Sequence, residues 1–76
     1  MEPTIGMVLT LRGRNNHGRQ RIQTYGTRWE ILKLSRSVHF DSRLGDWALV
    51  FSHDKPDYLC WIFLNADTCF VIEGVE

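Results

Sequence analysis

The sequence predicts a mainly β fold, a small SH3-like barrel of five strands with one long early loop and a short helical turn before the last strand. Three observations lead to this prediction. The apolar residues fall into five short runs, turn-forming residues separate these runs, and a long polar segment lies between the first two. An OB-like barrel is the second choice, because it usually needs a longer chain and a larger helix.

The first predicted strand covers residues 5–12 and is followed by a long connection. Residues 13–18 are rich in glycine and asparagine, which tolerate positive φ, and they predict an exposed loop. Residues 19–25 contain one strong apolar position, Ile22, which is too little to hold an isolated helix. We therefore interpret them as part of a long ordered loop that stops at Gly26.

The rest of the chain predicts four more strands and two short turns. The strands are expected at residues 29–34, 46–52, 58–64 and 69–72. Pro56 lacks an amide donor and marks a turn at 53–57, so the third and fourth strands form a hairpin. Residues 65–68 predict a tight turn with one turn of 3₁₀ helix.

Size and composition predict one domain that covers residues 1–76. The 76 residues are 43% hydrophobic and 12% aromatic, which is enough for one core. A core of this size supplies about 3 to 5 kcal/mol of net stability, so homodimer formation stays open. The apolar run at residues 5–11 is too short and too polar for a signal peptide or a membrane span, and we expect a cytoplasmic protein without a membrane partner.

The charges sum to zero but are unevenly distributed along the chain. Residues 1–36 hold seven basic and two acidic residues, whereas residues 37–76 hold two basic and seven acidic ones. The first part therefore carries a net charge of +5 and the second part −5. This asymmetry is the clearest indication of function in the sequence.

The basic part suggests a surface that binds phosphate groups or an acidic partner. The candidate binding residues are Arg12, Arg14, Arg19, Arg21, Tyr25 and Arg28. Arginine binds phosphate through two hydrogen bonds, and Tyr25 with Trp29 could offer stacking faces for RNA or single-stranded DNA. The pI of about 6.8 argues against this, because nucleic-acid-binding domains usually carry excess positive charge. The alternative is that the arginines pair with the acidic part, within one molecule or between two copies.

No catalytic residues, metal ligands or cofactors are predicted. No histidine lies in a motif that would activate a nucleophile, and His39 with Asp41 supplies only two potential metal ligands. Cys60 and Cys69 lie in apolar strand patterns, so free packing residues are favoured over a disulfide. We expect a protein that is not an enzyme.

Two segments carry a resemblance to small uncharacterised proteins of tailed bacteriophages. They are residues 17–29 (HGRQRIQTYGTRW) and residues 61–72 (WIFLNADTCFVI). The resemblance implies a phage-borne accessory or inhibitor protein in the host cytoplasm and assigns no site residues. With three tryptophans in the chain, it favours a binding module that docks on a host protein through aromatic and arginine side chains. Direct binding of RNA or single-stranded DNA through residues 12–28 is the alternative function.

Overall fold

The computed structural model describes residues 2–76 and contains one antiparallel sheet and one helix. The elements are β1 (Val8–Gly13), α1 (Asn16–Tyr25), β2 (Arg28–Ser35), β3 (Trp47–Ser52), β4 (Leu59–Phe63) and β5 (Phe70–Val75). The strand order is β4-β3-β2-β1-β5, so β4 and β5 are the edges. The predicted mainly β class with five strands is confirmed. Among residues 2–76 no pairing joins β4 to β5, and the closed barrel stays a prediction.

The predicted strands agree with the structure best in the middle of the chain. The first strand begins three residues later than expected, because Gly6 adopts φ 94° in a turn where the Met7 amide donates to the Thr4 carbonyl. The turn before β5 contains no 3₁₀ helix, so that part of the prediction is wrong. Asp67 holds this turn instead, since its carboxylate accepts from the backbone amides of Phe63, Cys69 and Phe70.

The long connection between β1 and β2 is a ten-residue helix, α1, and the prediction of a long loop is wrong. The Asn15 side chain caps the helix by accepting from the Gly18 amide at 2.8 Å. Gly26 ends it with φ 90°, at the residue where the sequence predicts a stop. Gly18 is buried, and a Cβ atom there would lie 1.8 Å from the Cys69 carbonyl oxygen. Packing against this backbone stabilises a helix that has few apolar side chains.

We expect Gly18→Ala to destabilise the fold by at least about 3 kcal/mol, because the new methyl group would overlap rigid backbone. In a helix without such a contact, Gly→Ala would raise the free energy of unfolding by about 1 kcal/mol. A decrease for Gly18→Ala therefore identifies the contact with the Cys69 backbone. Gly74→Ala is the control, since a Cβ there meets nothing within 4 Å. Urea unfolding measures both free energies. A Gly18→Ala variant as stable as the unmodified chain would contradict this close packing.

The sheet β2-β3-β4 has an inner face and an outer face, and only the inner face is covered by the core. The core residues come from all five strands: Leu9, Leu11, Trp29, Ile31, Ala48, Val50, Ile62 and Phe70. The pairing register is Leu49 with Trp61 and Phe51 with Leu59. Because side chains alternate along a strand, these four residues lie on the outer face.

Ser52 is the buried polar side chain that joins α1 to the β3–β4 turn. Its hydroxyl donates to the Tyr25 carbonyl at the end of the helix and accepts from the amides of Asp54 and Lys55 at 3.2 and 3.1 Å. One hydroxyl therefore satisfies three backbone groups from two elements.

Ser52→Ala should lower the free energy of unfolding by about 1 to 3 kcal/mol, because it leaves these backbone groups without their partner. Ser42→Ala is a matched control, because Ser42 is exposed. Thermal unfolding followed by circular dichroism compares the two variants. An equal loss in both would show that the Ser52 hydroxyl has no special role.

Candidate interaction surface

Two of the predicted basic site residues are paired with the acidic end of the chain. The Arg28 guanidinium donates two hydrogen bonds to the Glu76 carboxylate, at 2.7 and 3.1 Å. Arg12 lies 3.8 Å from the Glu73 carboxylate. For these residues the structure agrees with pairing inside one molecule. Both pairs are half-exposed, so solvent screens them.

Of the other three arginines, Arg19 and Arg21 lie on different sides of α1, and Arg14 precedes the helix. Residues two apart on a helix are separated by about 200° around its axis. Arg19 borders a groove of about 430 Å³ beside β1, whereas Arg21 contacts His17, with 3.2 Å between the two nitrogens. Arg14 lies near the ends of β4 and β5. Arg12 and Arg19 therefore line the same groove, whereas Arg14 and Arg21 lie elsewhere, and the binding role of these residues stays a prediction.

The predicted stacking residues are mostly occupied by internal contacts. Tyr25 stacks on Tyr58 with 3.7 Å between ring centroids, and the Lys55 ammonium lies 5.5 Å from the Tyr25 ring. Burial raises the pKa of Tyr58 above its ordinary value, while the nearby Arg21 charge acts in the opposite direction. Trp29 is fully buried, so it offers no stacking face.

The outer face of β2-β3-β4 carries a group of apolar side chains that the core does not cover. We define the outer apolar patch as Leu49, Phe51, Leu59 and Trp61 together with Leu32, which lies at the irregularity between Ile31 and Lys33 in β2. Leu32 and Leu59 are 48% and 46% exposed, and the other three are half-buried. Glu30 borders the patch, and its carboxylate lies 3.0 Å from the His53 ring nitrogen. Lys33 of β2 pairs with Leu49 and is exposed, just as Glu30 pairs with Phe51. The apolar side chains of β3 and β4 therefore have a charged border along β2.

Residues 36–46 cover the other end of the same face. The Arg43 guanidinium lies 4.6 Å from the ring centre of Phe63 and 5.3 Å from that of Trp47. The Trp47 indole N–H donates to the Arg43 carbonyl at 3.0 Å. Asp41 fixes the guanidinium through hydrogen bonds of 2.9 to 3.2 Å. Trp47 and Phe63 are buried as a result, and the uncovered part of the face ends at Leu49 and Trp61.

The Asp41–Arg43 pair should make stability depend on pH in the acidic range. Hydrogen bonds from Arg43 lower the pKa of Asp41, so the ionised pair stabilises the fold above the ordinary pKa of about 4 and this contribution disappears as the pH falls through the lowered value. We expect Asp41→Asn to have a lower Tm than the unmodified chain at neutral pH. The difference should shrink in more acidic solution. A Tm difference that stays constant with pH would exclude the pair as its cause.

The cysteines of the described part of the chain are not oxidised to a disulfide. Both cysteines are free thiols, and burial raises the pKa of Cys60 to about 12, which keeps it protonated at neutral pH. Within residues 2–76 no three histidine, cysteine, aspartate or glutamate side chains are placed to hold a metal ion. The helix found there, α1, is too short to cross a membrane.

The outer apolar patch was not predicted from the sequence. The apolar run at residues 58–64 has large side chains at both odd and even positions, which is typical of a strand buried on both faces. The feature of the sequence that could have predicted the patch is its length. A sequence of 76 residues is too short to supply a second apolar layer that covers the opposite face of the sheet. Trp61 lies half-buried on the outer face, and Phe40 is 59% exposed.

Comparison with known proteins identifies no relative of this chain. Searches against protein-family models, curated proteins and solved structures find no match.

Proposed function

We propose that this chain is a non-catalytic binding module with an SH3-like fold, which docks on a protein partner through the outer apolar patch. The observation that carries the proposal is the cluster of partly exposed leucine and aromatic side chains on one face of β2-β3-β4. Contiguous exposed apolar surface with a polar margin is typical of protein-binding sites.

The strand order supports the SH3-like part of the proposal. Strands β1 to β4 pair in chain order, and β5 returns to pair with β1. A sheet with these neighbours closes into a small barrel when it coils strongly enough to bring β4 beside β5. Such closure would occur at a groove of about 210 Å³ between the end of β4 and the start of β5, which Leu59 and Trp61 do not line, so it would leave the edge at these two residues uncovered.

The chemistry of the patch favours a protein partner over a charged polymer. Its five members are uncharged and include two aromatic residues, the type most often found in binding hot spots. The polar groups at its margin, Glu30, His53 and Arg43, would supply orientation. The phage resemblance suggests a protein of the bacterial host as the partner, and an accessory or inhibitory role in the host cytoplasm.

Leu32→Glu is the substitution that tests this function, because it puts a charge into the patch at an exposed position of β2. Host proteins captured by the immobilised chain should bind this variant at least about tenfold more weakly. Ile5→Glu is the matched control, since Ile5 is 67% exposed and lies outside the patch. If Leu32→Glu binds the captured protein as tightly as Ile5→Glu does, docking at this face is contradicted.

A second candidate, binding of RNA or single-stranded DNA, rests on Arg14, Arg19 and Arg21. Within residues 2–76 none of the three pairs with a carboxylate, so their charges are free to meet phosphate. Their separation around α1 weakens the case. Fluorescence anisotropy with labelled RNA and single-stranded DNA at low and near-physiological salt distinguishes the candidates. Saturable, salt-sensitive binding lost on replacing these arginines would favour nucleic acid.

A further inference from the structure

The two edge strands of the sheet differ in their protection against pairing with another strand. Edges are normally protected by charge, proline, glycine or irregular pairing. β5 has such features, because it contains Glu73 and Gly74 and its register with β1 shifts between Thr10 and Leu11. β4 has the sequence LCWIF, with no charged residue, glycine or proline, and Leu59 at its start is 46% exposed. The β4 edge is therefore open to an added strand.

The hydrogen bonds of β4 determine how many backbone groups are free. The Ser52 amide donates to the Tyr58 carbonyl, and the Leu64 amide donates to the Asp46 carbonyl, so the even-numbered residues of this strand face β3. In an antiparallel ladder, the residues between them direct their N–H and C=O groups to the other side. Those residues are Leu59, Trp61 and Phe63. The Phe63 amide is already bound by the Asp67 carboxylate at 2.9 Å.

We propose that β4 pairs with β4 of a second copy of this chain, antiparallel and about a twofold axis at Cys60. In this register Leu59 of one copy faces Trp61 of the other, and each exchanges both its N–H and its C=O with that residue. The four hydrogen bonds use every free N–H of the two edges. The Asp67 contact limits the register, because a shift toward the end of β4 would require the occupied Phe63 amide.

Self-complementarity favours a second copy over an unrelated extended peptide. A free peptide would lose conformational entropy on becoming a strand, whereas β4 of a second copy is already ordered by its pairing with β3. The strand carries no charge, so two copies do not repel each other along it. Leu59 and Trp61 lie on the outer face, and their cross-strand contact would cover the exposed Leu59 side chain. The two five-stranded sheets would become one continuous sheet and place two outer apolar patches side by side.

Sedimentation of the purified chain from micromolar to millimolar concentration tests the proposal. The mass should rise toward twice the 8.9 kDa of a single chain. Hydrogen exchange measured by nuclear magnetic resonance should slow at the Leu59 and Trp61 amides as concentration rises, with no such change along β5. A chain that stays at 8.9 kDa throughout, or protection that appears along β5, would overturn the β4 pairing.

Leu59→Lys should weaken the dimer about 30-fold, because the lost apolar contact and the new charge occur twice in each dimer. Val75→Lys is the matched control, since Val75 is a similarly exposed apolar residue on the other edge strand. Equal dimerisation of the two lysine variants would contradict the pairing. If Leu59→Lys does not fold, amide exchange in the unmodified chain decides the question.

The dimer and the proposed function are tested by separate variants. Leu32 lies on β2, away from the β4 edge, so Leu32→Glu should keep the dimer while losing the partner. A dimer that vanishes in Leu32→Glu would show that copies meet through the patch face and not through β4. Slow exchange of the Leu59 and Trp61 amides only after another protein is added would assign the edge to that protein and exclude self-pairing.

Discussion

The arrangement of the molecule depends on the close contact between α1 and the backbone before β5. The Cys69 carbonyl accepts from the Arg14 amide at 2.7 Å and lies against Gly18, where no side chain intervenes. The Asn15 side chain donates to the Thr68 carbonyl in the same region. The end of β1, the start of α1 and the start of β5 therefore meet at one point. Because Gly18 packs against this backbone, α1 has a fixed rotation about its axis. That rotation determines the direction in which each polar side chain of the helix points.

The strands could be predicted from the sequence because alternation of side chains is a local property. The helix could not be predicted in the same way, since one of its close tertiary contacts is made by Gly18, which contributes nothing to an apolar pattern. Gly26 as a stop was a readable signal, but one end signal does not outweigh a weak apolar face. Local patterns find an element when its side chains do the packing, and they miss it when its backbone does.

Local sequence patterns were also insufficient to predict the candidate site. Arginines that are close in sequence suggest one basic surface, yet α1 directs Arg19 and Arg21 to opposite sides, and Arg12 with Arg28 turn toward glutamates near the other end of the chain. The partners in these pairings are far apart in the sequence, 48 positions for Arg28 and Glu76, and leave no trace in local composition. The outer apolar patch was hidden because alternation shows that a strand has two apolar faces but does not show which face receives a covering layer.

The three tryptophans lie in three different environments of this small fold, and this gives the chain its own optical reporters. Trp29 is sealed in the core with its indole N–H on the Gly26 carbonyl, and Trp47 lies beneath the Arg43 guanidinium. Trp61 is half-buried on the outer face. A dissolved quencher such as iodide would reach Trp61 before the other two indoles, so the quenchable part of the emission reports on the outer face. The protected part reports on the core and on residues 36–46, without any attached dye.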